Sequence, residues 1–253
     1  MPRTALALAM LASLTFATPA VAGETIVLLG DSYCPYTCEP GPLPGYTIEI
    51  ATKVFAAKGI TVEYKMVDWQ GAIADARAGK VAGLAGGIKT DAPDLVYPDM
   101  EVGISKSFFV VRRGDAWRWS GPASLAGRRL ALVASYTYAP EIEAFAKANA
   151  ALVTRAEGTD PFAANARALL TQKTDALFED GAVVAFNAMR MKIGELIERI
   201  PGPGEADKLY VSFSPKHPKA KELAKIFSEG VAALRKSGEL ATILKRYGVT
   251  DWR

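Results

Sequence analysis

Phe108–Val133 reads FFVVRRGDAWRWSGPASLAGRRLALV. Phe108–Val111 is an apolar run of strand length, closed by the charged Arg112-Arg113-Gly114-Asp115. A connection rich in Gly, Pro and Ser follows, and Arg129–Val133 then opens a second apolar run. On both sides of this junction, short apolar runs alternate with helical patterns. Upstream, the strand candidates are Thr25–Leu29, Val62–Met66 and Ala82–Ala85, and the helix candidates are Tyr46–Lys58 and Gly71–Ala78. Gly59 and Gly79 stand as C-terminal stops of those two helices. Downstream, strands are expected at Leu152–Arg155, Ala176–Phe178 and Leu209–Phe213. Helices are expected at Ala139–Ala148, Pro161–Thr171, Gly181–Arg190, Pro218–Ser237 and Glu239–Tyr247. Strand and helix in turn predict mostly parallel sheets covered on both faces. The series runs out near FFVVRRGD, restarts at Arg129, and ends at KLYVSFSPKHP (Lys208–Pro218), after which only helices follow. Two α/β units joined by a pair of extended crossings predict two lobes with a cleft between them.

Half of the 253 residues are apolar and the formal charge is +3, which falls to +2 without Arg3. That balance describes a folded chain with a sizeable core and argues against nucleic acid or an anionic membrane as partner. The opening MPRTALALAMLASLTFATPAVAGE carries one basic residue, an apolar stretch from Ala5 to Ala17, and the small-residue pattern Ala20-Val21-Ala22. It is read as a secretory signal cleaved after about Ala22, leaving a soluble periplasmic chain of about 231 residues.

Export bears on the two cysteines. Cys34 and Cys38 sit in GDSYCPYTCEPGPLPGYTIEI (Gly30–Ile50), a loop between the first strand and the first helix. An even count in an oxidising compartment favours a disulfide, worth about 2 kcal/mol for a five-residue loop. Zinc is the weaker reading, because two thiolates lack further ligands and the one histidine, His217, is distant in sequence. A redox pair is weaker still, since three residues rather than two separate the thiols. No metal and no cofactor are expected.

The layout, with its local motifs, resembles the periplasmic solute-binding proteins of ABC transporters, in the amino-acid-binding type called extracellular solute-binding family 3. The segments that carry the likeness are GDSYCPY, PGYTIEIATKVFAAKG, VDWQGAIADARAGKVAGLAGG, SLAGRRLALVASYTYAPEIEAF, TDALFED and SGELATILKRYG, in that order and across the whole mature chain. The resemblance implies a two-lobed periplasmic-binding-protein (Venus-flytrap) fold, type II, with two crossing hinge strands. Lobe 1 would comprise 24–112 plus 212–253, and lobe 2 would comprise 113–211. The implied role is capture of a small polar solute (amino acid, amine or related carboxylate) by a monomer that serves a membrane ABC permease. Carried over position by position, the pocket would use Asp31, Tyr33 and Tyr36 of the first loop, Trp69, the turn Gly86-Gly87-Ile88, the loop Ser135-Tyr136-Thr137, and Asp180.

Read physically, Asp180 ends a strand just before Gly181 opens a helix. It can pair with a bound ammonium or cap the helix. Glu179 beside it would face away if the strand alternates regularly. Ser135–Thr137 precede a helix start, where amides and hydroxyls suit an anionic group or ordinary capping. Tyr33, Tyr36, Trp69, Tyr136 and Tyr138 are aromatics expected on loops, able to cover an aliphatic or cationic ligand. One segment departs from the family. GGIKTDAPDLVYP lacks the arginine that would clamp an α-carboxylate; Lys89 offers only a point charge, and Asp91 and Asp94 are acidic. The ligand is therefore a cationic amine or a carboxylate held mainly by backbone amides. Two other roles share the scaffold: a ligand-sensing receptor component for a membrane signalling protein, and a dehydratase-like enzyme using Glu179 or Asp31 as acid or base.

Overall fold

The computed structural model describes residues 23–134, 136–158 and 160–253, so the expected signal segment and Ser135 lie outside the described residues. In chain order the elements are β1 (Thr25–Gly30), α1 (Tyr46–Ala56), β2 (Thr61–Met66), α2 (Trp69–Ala78), β3 (Gly83–Ile88), β4 (Gly103–Ser105), β5 (Ser107–Arg112) and β6 (Leu130–Val133). They continue with α3 (Pro140–Ala148), β7 (Val153–Ala156), α4 (Pro161–Leu170), β8 (Ala176–Asp180), α5 (Gly181–Met191), β9 (Ile197–Pro201), β10 (Asp207–Phe213), α6 (Ala220–Ser237) and α7 (Glu239–Arg246).

The strands form two five-stranded sheets, ordered β2-β1-β3-β10-β4 and β7-β6-β8-β5-β9. Each has three parallel strands followed by an antiparallel one, because each lobe takes its fourth strand from a chain crossing. This is the expected α/β architecture of two lobes, in the type II strand order. Sheet membership changes at Lys106, between β4 and β5, and again between β9 and β10. The expected crossings at 112 and 212 therefore fall one strand too late: β5 lies wholly in the second sheet and β10 wholly in the first. The sequence conceals this, because an apolar strand reads the same in either sheet. β4 is only three residues long and β9 carries charges on its outer face, so neither shows a strand period.

The termini of α2 and α5 follow from side-chain capping. Asp68 accepts from Gly71 N at 2.8 Å, which starts α2 at Trp69. Asp180 accepts from Ala182 N and Val183 N at 2.8 and 3.0 Å and so turns β8 directly into α5. One apolar core fills the space between β1, α1, α6 and α7 and continues into the second lobe through α5. Phe186 of α5 and Tyr247, just past α7, bring that core across the lobe boundary with ring centroids 6.1 Å apart. Separate cores cover the opposite faces of each sheet. Cys34 and Cys38 are joined as a disulfide, as expected from their count and compartment.

Candidate functional site

A cleft of about 610 Å³ opens where the carboxyl ends of β1 and β3 face the carboxyl end of β8 and the start of α3. That position, at strand ends and between two bodies, is where open α/β sheets hold ligands. Asp31 follows β1 directly and lines the cleft. Tyr33 sits in the disulfide loop, whose backbone is closed by Tyr33 N to Thr37 O at 2.8 Å and Thr37 N to Tyr33 O at 3.1 Å. Its ring stacks on Tyr36 at 4.9 Å and meets Tyr136 of the other lobe edge-on at 6.1 Å. The disulfide loop thus holds one aromatic wall against the opposite lobe.

Trp69 does not lie on a loop; it is the first residue of α2 and reaches the cleft from a helix end. Its indole Nε1 donates to Asp91 at 3.1 Å. One edge of the ring abuts β3: a Cβ on Gly87 would come within 2.6 Å of the indole Cζ2 and Cη2. Gly86 beside it has φ +89°, a left-handed conformation that glycine takes without strain. Gly86, Gly87 and Ile88 line the cleft.

Three expected residues stand differently. Tyr36 is fully buried beneath the cleft rather than in it. Lys89 is not part of the lining, since its ammonium rests over the rings of Tyr210 and Tyr97 at 4.7 and 5.5 Å. Ser135 lies outside the described residues, whereas Tyr136 and Thr137 line the wall contributed by the second lobe.

Asp180 lines the cleft, but its lone pairs are already engaged. Beyond the two α5 amides it accepts from Ser105 Oγ at 2.9 Å and Lys106 N at 3.1 Å, and the Tyr36 hydroxyl lies 3.0 Å away. It therefore ties the start of α5 to the first crossing and to lobe 1. Burial raises its carboxyl above the usual range even against these donors. Glu179 does not face away. Asp180 turns back to cap α5, the pleat stops there, and Glu179 lines the cleft at 3% exposure. One of its oxygens accepts from Asp180 N at 2.8 Å; among the described residues no donor meets the other. Burial, reinforced by the neighbouring Asp180 charge, pushes Glu179 up to about 8. Asp31 is raised by burial as well.

Six carboxylates line the cleft: Asp31, Asp91, Glu179, Asp180, Glu205 and Asp207. Among the described lining residues there is no Lys, Arg or His. The remaining wall mixes aromatic and small polar residues, such as Phe178, Tyr138, Ser105 and Ser107, with the apolar Ile88, Pro140 and Leu209. Glu205 and Asp207, on the return crossing, carry no motif that a sequence reading could have used. Asp91 was visible as an acid but not as part of the cleft, and strand alternation turned Glu179 away from it, although the enzyme alternative used it as acid or base.

A cleft lined by two α/β lobes, each built on the same strand order and linked by two crossings, defines the class of two-lobed ligand-binding proteins. The chain belongs to the bacterial extracellular solute-binding proteins, family 3, whose model matches residues 26–250. Solved structures agree in fold. The L-cystine solute receptor of Neisseria gonorrhoeae, in its unliganded open conformation, is 20% identical with TM-score 0.65, over 90% of this chain and 94% of that one. A histidine kinase sensor domain with similarity to periplasmic binding proteins is 23% identical with TM-score 0.62, over 89% and 96%. An ancestral cationic amino acid solute-binding protein is 17% identical with TM-score 0.67, over 88% and 95%. At these identities the likeness concerns the fold alone. No curated protein matches the sequence.

Proposed function

We propose that this protein is the periplasmic solute-binding component of an ABC importer, which captures a small polar solute between its lobes and presents it to a membrane permease. One observation carries the reading: a ligand-sized cleft is walled by both lobes at their crossing strands, with aromatic rings from each lobe meeting across it. A solute that touches both walls favours the closed arrangement over the open one, and the permease distinguishes the two shapes. Asp31, Tyr33, Trp69, Gly86–Ile88, Tyr136, Thr137 and Asp180 are proposed as ligand-facing, Asp180 chiefly through the wall it fixes, and Glu179 joins them. Lobe 1 is proposed as 24–105 plus 207–253, and lobe 2 as 107–201.

The test is a thermal-shift screen over pooled amino acids, amines and carboxylates, followed by X-ray scattering on any hit. A ligand at a hundred times its Kd stabilises by about 2.7 kcal/mol, which in a chain of this size raises Tm by roughly 5–10 °C. The expected result is such a shift accompanied by contraction of the molecule. Failure of every pool, together with failure to recover any small molecule from protein denatured after gentle purification, would refute the reading.

A second role has a specific observation in its favour, the fold shared with a histidine kinase sensor domain. A strain lacking this protein that still imports the hit, yet loses a transcriptional response to it, would identify sensing. The enzyme reading draws on Glu179, whose carboxyl stays protonated near neutrality and could donate a proton. Recovery of the hit unchanged after prolonged incubation tells against turnover.

A further inference from the structure

The charge of the cleft extends the solute-binding reading, on which this inference rests, to the chemistry of the solute. Among the described residues every ion pair lies outside the cleft, and none of its six acids meets a lysine or arginine. Asp94, by contrast, just beyond the cleft, is gripped by Arg77 at 2.7 Å. Lys89, the one cation near the carboxylate-clamp position, rests on two tyrosine rings instead. The acids are also distributed: Asp31 and Asp91 come from lobe 1, Glu179 and Asp180 from lobe 2, and Glu205 and Asp207 from the return crossing. Among the described residues, no three metal-ligating side chains converge closely enough to hold a metal ion. Independently of the acid count, Glu179 is 3% exposed and lines the cleft, with one oxygen that no donor among the described residues meets. Burial and the neighbouring Asp180 keep that carboxyl protonated near neutrality, and a cation bound beside it would offset the cost of ionising it.

We infer that the solute is an organic amine with at least two positive charges, a di- or polyamine, whose ammonium groups are divided between the acids of the two lobes. A compact metal ion needs converging ligands, which this cleft lacks. An amino acid would bring its own carboxylate among six others without a cationic clamp. An extended polyamine places charges apart along an acidic trough, and its methylene segments lie on Tyr33, Trp69 and Tyr136. The same arrangement couples occupancy to closure. A polyammonium lying between Asp31 and Asp91 on one wall and Glu179 and Asp180 on the other gains from both sets of acids only when the walls close on it.

Calorimetric titration and X-ray scattering of the mature chain with spermidine, putrescine, arginine and glutamate test the inference. Spermidine or putrescine is expected to bind and contract the molecule, with glutamate silent. Glu179→Gln in one lobe and Asp31→Asn in the other should each weaken amine binding tenfold or more, while Glu63→Gln on the outer strand β2 leaves it unchanged. Tighter binding of arginine or glutamate than of either amine would overturn the ligand class and leave the solute-binding reading standing. Amine binding indifferent to both cleft substitutions would place the amines elsewhere and overturn it too. Contraction by none of the four probes likewise overturns it, while the solute-binding reading is then decided by the wider thermal-shift screen.

Discussion

Glu179→Gln should make the protein more stable while weakening its ligand site, and the gain should depend on pH. Gln has the shape of a protonated glutamate and nearly the same hydrogen-bonding capacity, so it removes the ability to ionise and little else. In the folded chain the Glu179 carboxyl titrates at about 8, against 4.5 for the ordinary group, because burial penalises its charge and Asp180 adds repulsion. A folded-state value above the unfolded one means the native state holds more protons between pH 4.5 and 8, so stability falls as pH rises through that window. At pH 7 the shift corresponds to about 3 kcal/mol of destabilisation, and at pH 5 to about 1 kcal/mol, at 1.36 kcal/mol per pH unit. The substitution should therefore raise Tm by roughly 6–12 °C at pH 7 and only about 2–4 °C at pH 5. Differential scanning calorimetry of the ligand-free protein across pH 5–8 measures both. Tyr33, Tyr136 and Tyr138 face the same space but stay neutral there, and Asp180 is common to both proteins. Equal increments at the two pH values, or a loss of stability at pH 7, would refute the claim that burial raises the Glu179 carboxyl in the cleft.

Three further outcomes follow from contacts elsewhere. Tyr36→Phe removes the hydroxyl between Asp180 and Ile104 O and should lower stability by about 1–2 kcal/mol in urea unfolding, since four other donors still hold the carboxylate. Gly87→Ala drives a methyl into the Trp69 indole and should weaken ligand binding tenfold or more in titrations, with the far-ultraviolet circular dichroism unchanged. Glu101 is buried and accepts from Arg253 and Trp252; the Arg253 hydrogen bonds hold its carboxyl down at about 2, below the ordinary 4.5. That contribution is present above pH 4.5 and lost as pH falls through 2, so Glu101→Gln should lower Tm by roughly 4–8 °C at pH 7 and by little near pH 2.

The restart of strand–helix alternation at Arg129 announced the second lobe, because periodicity is a local property of the chain. The crossings were misplaced by one strand, because β4 is too short to show a period and β5 is apolar enough to belong to either sheet. The cleft-lining loops were legible wherever a strand ends in a polar or aromatic residue, as at Asp31, Tyr33 and Tyr136. Tyr36, three residues beyond Tyr33 in the same loop, could not be told from it; only the folded loop shows that one ring lies above the other. Glu179 was assigned the wrong face by strand alternation, a rule that lapses where a capping aspartate redirects the backbone. The acidity of the cleft was the least visible property. It is a sum over four separate segments, and no window along the chain contains more than two of its carboxylates.

The interleaved strand order also dictates when each part of the molecule can be finished. β10 lies between β3 and β4, and β4 pairs with no other strand, so the first sheet lacks its inner antiparallel member until residues 207–213 have been made. All five strands of the second sheet fall within residues 107–201, one uninterrupted segment. During synthesis the later-encoded body can therefore complete itself first, while the earlier-encoded one remains an unfinished sheet waiting for the tail of the polypeptide.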